Sequence, residues 1–329
     1  LDQYTLRVRD RVFPGDPYGI GLRLSAEAAA ELSADRKKID AFRRWLDDND
    51  CYVFTINGFP YGKFHGTRVK EQVYAPDWTT RERLDYTNLL FDLLCEIAPE
   101  GEAASVSTSP GSFKEFITDE AAQGEAICGN VRACSEHIER LREVSGRDLH
   151  LGLEPEPLGW FETSAETVGF FERLTNGQEN RESILRNIGV NYDTCHLAVE
   201  YEEPADAIGA LRKAGIRISK IHLSSALALT PTPETLEALA AFSEDTYLHQ
   251  VIVRSGNEVT QRFRDLPEAF AWANDRSPGD EWRVHFHVPV HTPPDTTYFR
   301  DTRDHITGTL DLLGAEPGWC EHFEIETYT

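Results

Sequence analysis

Short apolar runs rich in β-branched and aromatic residues alternate along this chain with longer stretches whose apolar positions recur at helical spacing. Gly19-Ile20-Gly21-Leu22-Arg23-Leu24 reads as a short strand, and Ser25-Ala26-Glu27-Ala28 as an N-cap entering an Ala-rich helix. Cys51-Tyr52-Val53-Phe54-Thr55-Ile56-Asn57 is the clearest strand of the first half. A helix over about 80–97 leads to a strand from 104 that breaks into a turn at 109–112. A helix over 119–144 leads to Leu149-His150-Leu151-Gly152-Leu153-Glu154-Pro155-Glu156-Pro157, where the prolines stop ladder pairing and fix the strand's exit. Helices over 163–175 and 204–214 precede strands at 189–193 and 216–225, and extended runs at 282–291 and 322–329 complete the series. Strands separated by helical stretches of this length are parallel βα units, and eight of them suffice for an α/β (βα)₈ barrel. Residues 247–254 and 258–263 alternate around Ser255-Gly256-Asn257, which predicts a β-hairpin inserted near 247–263. With no linker, low-complexity tract or shorter repeat, residues 1–329 read as one barrel domain.

The opening residues read as helix, and a helix in such a fold usually follows a strand. The 329 residues also contain no Met. Both features lead us to expect that the natural polypeptide has residues outside this sequence. On that expectation the first barrel strand is missing and the 285–291 run is a rim segment. An intact mass of 37.2 kDa would count against it.

Charge narrows the partners. A formal net charge of -23 and a pI near 4.8 argue against a nucleic-acid surface, which needs clustered Lys and Arg. No stretch approaches the roughly 20 apolar residues of a membrane span, so no membrane insertion is expected. The six cysteines lack metal or redox spacing and read as reduced, mostly buried thiols of a cytoplasmic protein.

Candidate chemistry sits at the strand ends. Gly189-Val190-Asn191-Tyr192-Asp193-Thr194-Cys195-His196 runs apolar and then delivers an acid and an imidazole three residues apart. The carboxyl end of a barrel strand opens on the cup that carries function. Asp193 and His196 are therefore candidate metal ligands; the alternative is an Asp that caps the next helix beside a packed His. Glu154, His222 and Glu326 end other strands. Each alone can be a surface acid, a core histidine or a near-terminal charge, but three carboxylates crowded into one cup need a cation. A divalent zinc, manganese or magnesium ion is the expected cofactor, with His196 and His287 as additional ligands. Glu156 is a candidate for substrate binding or a solvent-facing acid between prolines. The glycine-punctuated, basic stretch 58–70 reads as a lid in which His65, Arg68 and Lys70 are candidate substrate contacts, or simply solvated charges.

At these residues the chain resembles the xylose isomerase-like TIM-barrel superfamily, which holds sugar isomerases and epimerases together with phosphodiesterases of the endonuclease IV type. Asp193-Thr194-Cys195-His196 looks like its D-T-x-H strand end. The resemblance implies metal ligation by Glu154, Asp193, His222 and Glu326, and a substrate-binding or further zinc-binding role for His196. Ser109-Pro110-Gly111-Ser112 stands where the nuclease branch has H-P-G-S, and His285-Phe286-His287 where it has D-x-H; both departures weigh against a three-zinc centre. A closer resemblance, over Asn57 to Gly66, Leu153 to Pro157, Asn191 to His196 and His285 to Val290, is to the EboE group of bacterial metabolite traffic proteins. That group opens with a Tyr-Cys-Thr-Asn type strand absent from this sequence. It implies a small polar metabolite and a membrane prenyltransferase-like partner. The expected function is a metal-dependent isomerase or epimerase in which Glu154 and Glu326 move a proton α to a carbonyl and His196 holds a substrate oxygen. Metabolite binding without turnover, or a zinc phosphoesterase, are the alternatives.

Overall fold

A computed structural model describes residues 1, 3–62, 70–244, 246–274 and 277–327. Six strands come first: β1 (Tyr18–Arg23), β2 (Cys51–Asn57), β3 (Ala104–Thr108), β4 (Leu149–Leu153), β5 (Ile188–Asp193) and β6 (Arg217–Leu223). Five more follow in an insertion: β7 (Leu227–Leu229), β8 (Val251–Ser255), β9 (Glu258–Phe263), β10 (Glu281–Val284) and β11 (Arg300–Asp301). Then β12 (Phe323–Ile325) returns to pair with β6. The order β1-β2-β3-β4-β5-β6-β12 is parallel throughout, with helices between successive strands, and forms a nearly closed TIM-type barrel. Its edges approach through side chains: Arg23 pairs with Glu326 at 2.6 Å, and a Cβ at Gly21 would fall 2.2 Å from a Glu324 oxygen.

The helices form because their apolar positions repeat on one face. In Glu120–Ser145 the buried Ile127, Val131, Cys134 and Ile138 recur every three or four residues. Asp119 caps its start by accepting from the Ala122 N–H, and Gly146 in the left-handed conformation ends it. Inside the barrel the lower layer is polar but paired. The Thr55 and Ser105 hydroxyls lie 2.8 Å apart, Ser105 meets His322 Nδ1 at 2.7 Å, and His150 Nδ1 meets Ser219 at 2.6 Å.

The expected hairpin is present, with β8 and β9 antiparallel around Gly256, but it belongs to a five-stranded sheet ordered β11-β7-β10-β8-β9. Of the two readings of the 282–291 run, the structure differs from the barrel strand, while residues 285–289 border a cavity as a rim segment would. The run's ordered part, β10, pairs antiparallel with β7 and β8, because Trp282 and Val284 pack with Leu227, Leu229, Val251 and Val253 in a second core. The β6 edge it would have taken is occupied by β12. All six cysteines are free thiols. No helix among the described residues is long and apolar enough to cross a membrane.

Candidate metal centre

Four strand ends converge. Glu154 directly follows β4 and is held there by its N–H, which donates to the Thr108 carbonyl at 2.9 Å. Asp193 closes β5, His222 lies in β6, and Glu326 follows β12 with its N–H on the Leu223 carbonyl. One ligand atom from each lies within 4.8 Å of the others, and all four residues are buried. His222 Nδ1 sits 2.5 Å from Glu326 Oε2, 3.0 Å from Glu154 Oε1 and 3.5 Å from Asp193 Oδ2.

Asp193 is the helix cap of one sequence reading, and only one of its oxygens is used for it. Its Oδ1 caps the following helix, accepting from the Cys195 N–H at 2.7 Å and the His196 N–H at 3.0 Å, and from the Ser224 hydroxyl at 2.5 Å. Its Oδ2 is buried with no hydrogen-bond partner and faces His222. A buried carboxylate oxygen left unmatched in this way is costly unless a cation meets it. Burial would raise the Asp193 pKa, but His196, His222 and His287 outweigh it and hold the carboxyl below its ordinary value. Burial would likewise lower the pKa of His222, yet Glu326, Glu154 and Asp193 push it well above the usual imidazole range. The cup attracts positive charge, and its three carboxylates and one imidazole fit a divalent ion.

Behind the cup, His222 Nε2 faces Glu324 Oε2 at 3.4 Å, and Glu324 is paired with the fully buried Lys220 at 2.7 Å. This places the imidazole between the cup on one side and a carboxylate on the other, the arrangement that fixes the ring of a metal-binding histidine.

A second cluster adjoins the first. The Nδ1–H groups of His196, His287 and His285 donate respectively to the Pro155 carbonyl at 3.0 Å, the Glu326 carbonyl at 3.2 Å and Gln250 Oε1 at 2.9 Å. Their Nε2 atoms converge, with His287 3.0 Å from His285 and 3.3 Å from His196. His285 groups with Glu156 and His196, and with Cys195 and His287, as sets of donor atoms within 4.8 Å of one another. Asp193 groups with His196 and His287 as well as with the first four ligands.

No family model matches the chain, and no characterised protein matches it by sequence. Solved structures similar to it include the 3-keto-D-glucoside 4-epimerase YcjR from E. coli, at 13% identity over 77% of this chain and 88% of that one, TM-score 0.39. Another is IolI protein with a bound zinc atom, at 13% over 63% of each chain, TM-score 0.39. A third is an AP endonuclease of family 2 from Brucella melitensis, at 15% over 79% of this chain and 100% of that one, TM-score 0.40. They belong with the xylose isomerase-like TIM-barrel proteins that the strand-end motifs resemble. Likenesses this distant bear on no residue's role, and the barrel rests on the strand order and register above.

A cavity of about 430 Å³ opens over the cup, with Glu154, Glu156, His196, His287 and Glu326 on its floor. Glu156 is thus inside the site; burial raises its carboxyl to a pKa of about 7, and its Oε2 has no hydrogen-bond partner. Lys70 also borders the cavity, but its ammonium is turned to Asp265 at 2.6 Å and to the Glu244 carbonyl at 2.9 Å. His65 and Arg68 lie outside the described residues, as does most of the expected lid. His291 is exposed in a turn and belongs to neither cluster. Sequence reading missed His285 as a cluster member and Glu324 as the partner of His222. The period-two alternation His322, Glu324, Glu326 along the last strand was the available signal for the latter.

Proposed function

We propose that the chain is a metal-dependent isomerase or epimerase acting on a small polyoxygenated metabolite. The observation that carries this is the buried set Glu154, Asp193, His222 and Glu326, with the unpartnered Asp193 Oδ2 aimed into it. A divalent ion held by these four would polarise a substrate carbonyl with its neighbouring hydroxyl and acidify the C–H between them. Glu326 keeps Oε1 on Arg23 and presents Oε2 to the cup, while Glu154 borders the cavity from β4. The two carboxylates can remove and return a proton from different sides of a substrate seated between them. His196, oriented by the Pro155 carbonyl, directs Nε2 at the substrate oxygen.

The experiment is elemental analysis of protein purified without chelator, with Glu154→Gln and His222→Ala alongside, and NMR detection of deuterium uptake from solvent into ketose and cyclitol candidates. We expect one equivalent of divalent metal, lost in both variants, and exchange that requires it. Metal-free, folded protein that binds polyols without exchange would overturn the reading in favour of metabolite binding without turnover.

One observation favours a second reading, a zinc phosphoesterase: Asp193, His196 and His287 form a second set that could hold a cation beside the first. Against it, Ser109 stands buried where a further histidine ligand would be needed. Two equivalents of zinc with phosphodiester hydrolysis would select it.

A further inference from the structure

The cavity above the cup has two unlike halves. Its floor carries the acids and imidazoles of the two clusters. Among the described residues its walls are largely apolar: Phe59 and Tyr74, with ring centroids 5.4 Å apart and Leu248 packed on them, line the same cavity as Phe286 and Val288, which pack against the second core, and Phe242. Phe242 and Phe286 meet at 5.9 Å. Of the polar groups among these walls, Lys70 and Gln250 are turned toward protein, while the Tyr74 hydroxyl and His249 Nδ1 are buried without a hydrogen-bond partner. Lys70 is held by Asp265 and the Glu244 carbonyl, the Gln250 amide donates to the Pro157 carbonyl at 3.1 Å, and the His249 ring lies 4.3 Å from that of Phe286. A free sugar filling the cavity would bring most of its upper hydroxyls against the aromatic walls, where they lose water and find few partners.

We infer that the site takes an amphiphile: a sugar-like or cyclitol-like head in the cup, joined to a hydrocarbon group lying between Phe59 and Tyr74 on one side and Phe242 and Phe286 on the other. The head group rests on the reading above; the tail rests on the walls alone. Segregated polar and apolar lining recognises both parts of one molecule, and each methylene buried tightens binding by up to about fourfold.

Titration calorimetry with methyl, hexyl and octyl β-D-glucoside, below micelle-forming concentrations, tests it. Octyl glucoside is expected to bind at least thirtyfold more tightly than methyl glucoside, on the order of three buried methylenes. Phe242→Asp, at a residue 47% exposed and so tolerant of change, should remove most of that gain. Val144→Asp, at an apolar residue 89% exposed on an outer helix, should leave it intact. Equal binding of the three glucosides, no binding of octyl glucoside, or a gain untouched by Phe242→Asp would each overturn the inference. A chain-length gain that persists in protein shown to hold no metal would keep this inference and sink the isomerase reading, so the two failures are distinguishable.

Discussion

At the scale of single residues, what separates His222 from an ordinary core histidine is that both ring nitrogens face carboxylates. Nδ1 points into the cup and Nε2 toward Glu324, which Lys220 neutralises from inside the barrel. Glu324 is a positioning residue: it does not reach the cup, but its charge favours the tautomer that carries the proton on Nε2 and leaves Nδ1 to bind. Glu324→Gln preserves shape and removes that charge. We expect it to weaken zinc or manganese binding by about 10- to 100-fold, measured by titration calorimetry, while the unfolding midpoint changes little. Unchanged affinity would mean that the carboxylates on the Nδ1 side orient the ring unaided.

At the scale of elements, β5 and β6 carry Asp193 and His222, and their close approach depends on Gly189. A Cβ there would lie 2.4 Å from the backbone oxygen of Arg217, which the ladder cannot move aside. Gly189→Ala should cost about 3 kcal/mol in urea unfolding, at the upper end of what overpacking costs. Gly129→Ala, in the exposed interior of Glu120–Ser145 with nothing within 4 Å of the added Cβ, should instead stabilise by roughly 0.5–1 kcal/mol. Two glycine replacements of opposite sign would show that strand packing, not propensity, sets the first. The strands up to β6 and the longer helices between them were legible because hydrophobic periodicity agrees with the tertiary structure there, whereas the helices Arg36–Asp48, Arg181–Asn187 and Thr194–Val199 were not read. The place of the run at 282–291 was not legible. Its apolar alternation suits any half-buried strand, and which sheet it joins depends on the second core around Trp282, made from residues far away in sequence. His285 was overlooked for the same reason, since it reaches His287 and Gln250 only once β10 and β8 are paired. Asp193 was legible as a cap or a ligand, and that Oδ1 alone serves the cap and leaves Oδ2 unpartnered is visible only when the strand ends are assembled.

At the scale of the whole molecule, the barrel holds its buried histidines in two electrostatic settings with opposite consequences for stability. Burial pulls His322 and His305 down to pKa values of about 4, and His150 well below its ordinary value. These rings are neutral in the folded protein where the unfolded chain, with a histidine pKa near 6.5, already binds protons. Their contribution is complete above pH about 6.5 and is lost as pH falls from there to about 4. His196 and His222 are raised by their carboxylates and act oppositely: their contribution is present below pH about 6.5 and lost as pH rises through their folded values. Acidification also relieves the self-repulsion of a chain carrying a net charge of -23. The total slope mixes these effects, but a difference between wild type and a single variant isolates one. His322→Asn can still meet the Ser105 hydroxyl and cannot titrate. From pH 7.5 to 4.0 it should lose less stability than wild type, by on the order of 3 kcal/mol, the linkage expected for a pKa falling from 6.5 to about 4. Chemical unfolding at both pH values measures the difference directly. Parallel losses in the two proteins would mean that His322 carries its proton inside the barrel, and that the polar layer of Thr55, Ser105 and His322 accommodates a buried charge beneath the acidic cup.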